Sequence, residues 1–179
     1  MDLFNAGAGA TAVRRRLFLL AAAGWLAGCA TAPEPAKRRL TGADLFAVEP
    51  AAFRAAVLTD ARVAVQAVVV DVRSPALDER FVLRLQQPAA VDRRLPPAPE
   101  GLAWRVLALS AEGTTTLVAV RQLLASRLPG PEGLEVTVSA LPAMVPADLI
   151  AALPVRIEML VDNREGWFTL GEGTLDLRP

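Results

Sequence analysis

The sequence predicts an α+β fold in which an antiparallel sheet of about six strands carries two or three short helices on one face. Two observations lead to this class. Several segments have the apolar–polar alternation or the dense valine content of strands, and turn-forming residues separate them. One further segment, 114–128, repeats its apolar residues with a helical period. If 114–128 and 50–58 are not helical, the alternative prediction is a β-sandwich.

A short helix is predicted over 50–58. Pro50 suits the first turn of a helix, where the missing N–H of proline does no harm. A helix that starts there would place Phe53 and Val57 on one face, at positions i and i+4.

Three strands are predicted in the middle of the chain. Residues 63–72 are rich in valine with few polar interruptions, as expected of a strand that is buried on both faces. Residues 81–86 alternate between apolar and polar side chains and predict a half-buried hairpin partner for that strand. The prolines within 88–101 indicate a surface loop, and 104–109 is predicted to be the third strand.

The longest predicted helix covers 114–128. Thr114 or Thr115 suits the N-cap, and Pro129 followed by Gly130 would end the helix. The β-branched residues at its start leave the beginning of a strand open as the alternative. Its apolar stripe consists of Leu117, Val120, Leu124 and Leu128.

The last third of the chain predicts three more strands. Residues 134–139 and 155–161 alternate between apolar and polar side chains, and a short helix is predicted between them over 146–153. After a turn rich in Asp, Asn and Gly, residues 167–177 return as the final strand. Two glycines in this strand indicate a bulge or bend.

The first thirty residues have the three parts of a secretory signal. Arginines at 14–16 form a positive n-region. The 11 residues of 17–27 fit an apolar h-region and are too few to span a bilayer as a helix. The sequence Leu26-Ala27-Gly28-Cys29 follows and contains the only cysteine of the chain.

This arrangement resembles the bacterial lipoproteins, because Leu26-Ala27-Gly28-Cys29 matches their lipobox behind a charged and an apolar region. The resemblance implies that Leu26, Ala27 and Gly28 are recognised by the signal peptidase. It also implies that Cys29 carries a diacylglycerol on its sulfur and a further acyl chain, such as palmitate, on its amino group. Sorting to the outer membrane is implied by Ala30, which stands where an Asp would favour the inner membrane. Several acyl chains make such an anchor effectively permanent.

Two export routes are compatible with this signal. Residues Arg15 and Arg16, followed by Leu-Phe-Leu, resemble the twin-arginine signal R-R-x-F-L, but Arg14 and Leu20 depart from that pattern at its flanks. Export through the general secretory route is the alternative. The twin-arginine route would mean that the domain folds before export.

The predicted organisation follows from the signal. Residues 1–28 form a cleaved signal peptide, 29–41 a lipidated tether that contains prolines, and 42–179 one periplasmic domain. The 151 residues from Cys29 onward suit one hydrophobic core and contain no second cysteine for a disulfide. The basic triplet Lys37-Arg38-Arg39 is expected to be a solvated part of the tether.

The residue types of the mature chain argue against catalysis. It contains no His, the residue most used in acid–base chemistry, and its only Lys lies in the tether. Zinc sites depend mainly on His and Cys, and the patterns of a calcium loop, a nucleophile elbow and a P-loop are absent. We therefore expect no enzyme activity, no metal and no cofactor other than the covalent lipid on Cys29.

The expected partner is another protein of the envelope. The chain has 19 Lys and Arg against 19 Asp and Glu, and removal of residues 1–28 takes away three Arg and one Asp, which leaves a net charge of −2. Balanced charge without a basic block predicts no nucleic-acid partner. Trp167 and Phe168 are adjacent on a strand and point to opposite faces, so one ring would be exposed if one face is uncovered. We therefore predict a partner contact at Asn163, Trp167 and Phe168.

The sequence thus favours a lipoprotein that is anchored in the inner leaflet of the outer membrane, where its periplasmic domain binds or assembles another envelope component. The alternative is a carrier of a small apolar ligand or lipid, held in a groove beneath the helices. The hydrophobic content of 53% permits such a groove.

Overall fold

The computed structural model describes residues 36–128 and 130–177. The predicted signal peptide with Arg15 and Arg16, the lipobox with Cys29 and the first part of the tether lie outside these residues. The elements, in chain order, are α1 (Gly42–Ala47), β1 (Arg54–Asp60), β2 (Ala64–Ser74), β3 (Glu79–Ala89), β4 (Leu102–Leu109), α2 (Ala111–Arg127), β5 (Glu135–Met144), a 3₁₀ turn (Ala147–Leu149), β6 (Leu153–Leu160) and β7 (Trp167–Leu175).

The strands form one antiparallel sheet of seven, in the order β5-β2-β3-β4-β1-β6-β7, which curls into a half-barrel. An antiparallel sheet with helices packed against it agrees with the predicted class in its coarse form. The predicted number of about six strands is too low by one, and the described residues do not form a second sheet. The hairpins β2–β3 and β6–β7 form as predicted, with Val72 opposite Phe81 and Leu160 opposite Trp167.

The inner face of the half-barrel holds the larger of two buried clusters. Side chains that alternate along the strands, such as Val57, Val70 and Leu83, pack there against Leu45 of α1 and Leu117 of α2. Successive strand residues point to opposite faces, so the residues that alternate with these inner ones form a second, outer cluster on the other face of the sheet. The outer cluster consists of Ala56, Leu58, Leu95, Trp104, Val106, Leu160 and Trp167.

The proline-rich loop 90–101 covers part of the outer face. Its Leu95 is buried in the outer cluster, and the Trp104 indole donates a 2.8 Å hydrogen bond to the Pro96 carbonyl. This loop, predicted to be a surface segment, is therefore also a structural cover. It allows the central strand β1 to be buried on both faces.

The helix predicted over 50–58 is wrong, because this segment contains a turn and the first part of β1. Pro50 lies in a turn, and the strand follows it. Every residue from 55 to 59 is buried. A central strand that is covered on both faces shows no apolar–polar alternation, so the spacing of Phe53 and Val57 fits a strand as well as a helix.

The folded unit begins before residue 42, the predicted start of the domain. The Thr41 hydroxyl accepts a hydrogen bond from the Asp44 amide, and the Asp44 carboxylate accepts one from the Thr41 amide at 2.8 Å, which makes a capping box for α1. Residues 36–38 pair with β7, and Leu40 is buried in the inner core. Residues 36–41 therefore belong to the domain and not to the tether.

The helix α2 is confirmed, but it begins earlier than predicted. Ser110 is its N-cap, because the Ser110 hydroxyl accepts a 3.1 Å hydrogen bond from the Gly113 amide. The residues of the predicted stripe that are buried are Leu117, Val120 and Leu124. The short helix predicted over 146–153 is only the 3₁₀ turn.

Candidate functional site

The predicted partner contact lies at the turn between β6 and β7. Gly166 has a φ of 82°, in the left-handed region that glycine takes without strain, and its amide donates to the Asp162 carbonyl at 3.1 Å. The Asp162 carboxylate accepts a hydrogen bond from the Arg164 amide at 2.7 Å. This local bonding presents Asn163 at the tip of the turn, where it is exposed.

Trp167 and Phe168 point to opposite faces of the sheet, as the sequence predicts. Trp167 enters the outer cluster and is 6% exposed, whereas Phe168 enters the inner core and is 4% exposed. Both faces are covered at this point, so neither ring offers an exposed aromatic surface. Of the predicted contact residues, Asn163 alone is exposed, and partner binding at the turn stays a prediction.

Arg38 connects the beginning of the domain to this turn. The Arg38 amide donates to the Thr169 carbonyl at 3.0 Å. Its guanidinium donates to both carboxylate oxygens of Asp44 at 2.9 Å and to Glu165 at 3.3 Å. The guanidinium carbon also lies 3.8 Å from the centre of the Phe168 ring, which is a cation–π contact. We call Arg38, Asp44, Glu165 and Phe168 the Arg38 cluster.

The Arg38 cluster corrects the expectation that the basic triplet is solvated throughout. Lys37 and Arg39 are exposed, but Arg38 is half-buried. Burial by itself would raise the pKa of the Asp44 carboxyl, but hydrogen bonds from Thr41 and Arg38 outweigh it and hold this pKa below its usual value of 3.8. Folding therefore favours the ionised form of Asp44. Its contribution to stability is present above that pH and is lost as the pH falls through the lower pKa of the folded state.

Arg38→Ala is expected to lower the free energy of unfolding by about 1 kcal/mol, because it removes a partly exposed ion pair and a ring contact. Arg39→Ala is the matched control and should change this free energy by less than about 0.5 kcal/mol. Denaturant titration of the full chain at neutral pH measures both. Below pH 3.8 the difference between Arg38→Ala and the parent should shrink as Asp44 becomes protonated. Equal effects of the two substitutions would show that Arg38 is not part of the fold.

On the other side of the turn, Arg94 connects the proline-rich loop to Asn163. Its guanidinium donates to the Asn163 carbonyl at 2.9 Å and to the Asp92 carboxylate at 2.7 Å. The hydrogen bonds from Arg94 hold the pKa of the Asp92 carboxyl well below its usual range, although partial burial opposes this. The backbone of Asn163 thus helps to position the loop that covers the outer face.

A cleft of about 400 Å³ opens between α1 and the turn. Polar and charged groups dominate its lining, and carboxylates outnumber the guanidinium of Arg164. Such a lining fits polar groups of a peptide loop better than an apolar ligand. The cleft is lined by Asp44, Ala47, Val48, Glu49, Ala52, Val161, Asp162, Asn163, Arg164 and Glu165.

A buried polar cluster on the outer face was not predicted from the sequence. Glu158 is 0% exposed, and its carboxylate accepts hydrogen bonds from the Arg156 guanidinium at 2.6 Å and from the Thr169 hydroxyl at 2.9 Å. The Arg156 guanidinium also donates to the Thr169 hydroxyl at 3.2 Å. The second carboxylate oxygen of Glu158 has no hydrogen-bond partner among the described residues.

The alternation along β6 assigns Arg156 and Glu158 to a solvated face, which is why they were not considered as a buried pair. A signal for their burial exists in β1. Because β1 is apolar on both faces, the outer side chains of its neighbour β6 must be covered too.

The alternative function, a carrier whose ligand lies in a groove beneath the helices, stays a prediction. A separate apolar pocket lies inside the half-barrel. The apolar pocket there is lined by residues that include Val57, Val65 and Val155, and its volume is about 10 Å³. This is the space of roughly one water molecule, so an acyl chain does not fit.

Within residues 36–128 and 130–177, no group of three or more Asp, Glu, His or Cys is placed to hold a metal ion. The part of the chain that the structure describes has no helix of the length and apolarity needed to cross a membrane. Comparison with protein-family models, with curated proteins and with solved structures gives no match. Function must therefore be inferred from the residues of this chain.

Proposed function

We propose that this protein is a lipoprotein of the outer membrane whose periplasmic domain binds another envelope component without catalysis. The observation that carries the proposal is how soon the fold begins after the lipobox. The carbonyl of Ala36 already pairs with β7, and only residues 30–35 separate it from Cys29. At no more than ~3.6 Å per residue, a fully extended chain allows about 25 Å between these two residues. A domain tethered through Cys29 would therefore stay near the membrane surface.

The Arg38 cluster supports the same function. It fixes the first residues of the domain to α1 and to the β6–β7 turn, so the chain enters the fold at a defined position. A short tether that ends in a fixed position restricts the orientations of the domain toward the membrane. Such restriction suits a module that assembles with a neighbour in the same envelope, whereas a diffusing carrier does not need it.

The residue types of the cleft support a non-catalytic role. Its lining contains carboxylates, an amide and a guanidinium, and no hydroxyl or thiol nucleophile. Several of these groups already bond within the domain, as Asp44 does with Arg38. The groups that remain exposed suit hydrogen bonds and ion pairs with a protein partner.

Cys29→Ser is expected to leave an unprocessed precursor without acyl label, because the sulfur that accepts the lipid is gone. Labelling of cells with palmitate, followed by separation of the membranes, measures processing, acylation and location together. The matched control is Ala30→Ser, which should be processed and labelled like the parent. Cleavage of the Cys29→Ser variant and its continued presence in the outer membrane would contradict the lipoprotein assignment.

The binding role is tested in the same strains by chemical crosslinking of intact cells. The lipidated parent should give a reproducible adduct with one envelope protein, and the Cys29→Ser variant should not. A parent that stays monomeric and co-purifies with a small ligand would support the carrier function instead.

A further inference from the structure

The half-barrel is open along one side, between the edge strands β5 and β7. Neighbouring strands are all antiparallel, and β5 and β7 stand at the two ends of a seven-strand order, so they run in the same direction. One end of this opening is filled by the chain itself. Residues 36–38 pair with β7, and α1 contacts the segment before β5. A Cβ at Gly42 would lie 2.5 Å from the Pro131 carbonyl oxygen, so this contact requires glycine.

The other end of the opening is unfilled in the described chain. We call it the open seam, formed by residues 140–144 of β5 and 171–175 of β7. All of 171–175 is exposed. A Cβ at Gly171 or Gly173 would meet no atom within 4 Å, so the face of β7 to which these residues point is uncovered here. The strands are nevertheless close, because both β5 and β7 contribute residues to the small pocket inside the half-barrel.

The open seam is apolar and almost uncharged. Residues 136–144 contain no charged side chain, and the only one in 170–175 is Glu172, whose carboxylate lies 3.8 Å from the Arg156 guanidinium. Edge strands of natural proteins commonly carry charges, prolines or bulges that prevent pairing with other chains. Most of this seam lacks charges, but Pro142 removes one N–H donor from β5, and the register of β5 with β2 shifts beside it. Three of the seven large hydrophobic residues that the described chain exposes lie here: Leu141 (38%), Met144 (67%) and Leu175 (39%). Leu177 (37%) follows just after β7.

We propose that the open seam binds an extended, uncharged apolar segment of the envelope partner, which pairs antiparallel with both β5 and β7. One such strand would complete an eight-stranded barrel whose neighbours alternate in direction throughout. Main-chain hydrogen bonds to two edges would supply affinity, and the exposed apolar side chains would supply specificity. The chain uses strand pairing in the same opening, where residues 36–38 lie along β7. This inference rests on the proposed binding function.

Photo-crosslinking in intact cells tests the proposal with the full lipidated chain. p-Benzoylphenylalanine replaces Leu141, Met144 or Leu175, and mass spectrometry locates the captured residues. The seam positions should capture one and the same segment of one partner, at least about tenfold above Val118, which is 39% exposed on α2. Because the added strand is antiparallel, moving the probe from Leu141 to Met144 should shift the captured site toward the N-terminus of that segment.

Charge provides a second test with a matched control. Leu175→Arg places a cation at the seam and should reduce capture at Leu141 at least fivefold, whereas Val118→Arg on the helix should leave it unchanged. Circular dichroism of the purified variants establishes that they are folded. If the probe at Leu141 captures the partner equally well in the Leu175→Arg and Val118→Arg variants, the result counts against an apolar segment bound at the open seam.

The outcomes separate the seam from the binding function itself. Three results would overturn the seam proposal. The two edges could capture unrelated segments, one edge alone could give adducts, or the captured protein could be a second copy of this chain. Adducts from a probe at Asn163, with none from probes in the open seam, would also overturn the seam proposal. The proposed binding function would then still hold. No adduct from any position, with no partner in the chemical crosslinking, would overturn both.

Discussion

Arg156→Met is expected to lower the free energy of unfolding by about 3–5 kcal/mol in denaturant titrations of the full chain. The substitution removes the cation that lies 2.6 Å from the Glu158 carboxylate, and Glu158 is fully buried. The side chain opposite it on β1 is Ala56, which cannot donate a hydrogen bond to replace the guanidinium. A carboxylate left buried without its cation loses the interaction that compensates for its desolvation.

Substitution of the other partner, Glu158, and the double variant decide whether an unpaired charge causes the loss of stability in Arg156→Met. Glu158→Leu should cost less than Arg156→Met, because the Arg156 side chain is 13% exposed and Glu172 lies within 3.8 Å of it. The free energy of unfolding of the double variant Arg156→Met with Glu158→Leu should lie within about 1 kcal/mol of the parent value or above it. Replacing both partners by apolar residues leaves no unpaired charge in the buried site. A double variant as unstable as Arg156→Met alone would show that packing, and not charge, is the cause.

The buried pair also explains how the register of β6 is specified. A slip of one residue would turn Arg156 and Glu158 from the outer face into the inner core, among residues such as Val57 and Phe168. Two charged side chains in that apolar core would be far less stable than in their present positions. We therefore expect the pair to disfavour a slipped alignment of β6 with β1 and β7, even where it adds little net stability.

Strands with one covered face were predictable from the sequence, and strands with two covered faces were not always so. Residues 81–86 alternate because one side of β3 faces water, and their assignment is confirmed. β1 is buried on both sides, so its apolar residues carry no period that separates a strand from a helix. The valine-rich β2 was correctly assigned as a strand because β-branched residues favour strands, whereas the alanines of β1 do not. Its predicted burial on both faces is wrong, because Val70 and Val72 are buried but Arg73 is exposed and Asp71 is only half-buried.

The contacts of the candidate site depend on residues that are distant in sequence. Arg38 bonds to Glu165 and stacks on Phe168, and Arg94 bonds to Asn163. Local patterns identified the turn, through its Asp, Asn and Gly residues, but they contain no information on which distant cation approaches it. For the same reason the tether was predicted to end too late, because residues 36–38 join the domain by pairing with a strand near the other end of the chain.

Trp104→Ala should lower the free energy of unfolding by about 3–5 kcal/mol, because it removes one of the two tryptophan side chains of the outer cluster and leaves a cavity there. Trp104→Phe keeps most of the ring but loses the hydrogen bond to the Pro96 carbonyl, so about 1 kcal/mol is expected. Pro97→Ala, on the exposed part of the same loop, is the control and should stay within about 0.5 kcal/mol of the parent.

Limited proteolysis distinguishes loss of the loop from loss of the whole fold. If the outer cluster holds loop 90–101 in place, trypsin should cut Trp104→Ala after Arg93 or Arg94 faster than it cuts Trp104→Phe, under conditions where both are folded. In these variants Trp167 is the remaining indole among the described residues, so its fluorescence reports whether water enters the outer cluster. A Trp104→Ala protein that loses less than about 1 kcal/mol would show that the loop contributes little. The burial of β1 on its outer face would then have to come from the sheet itself.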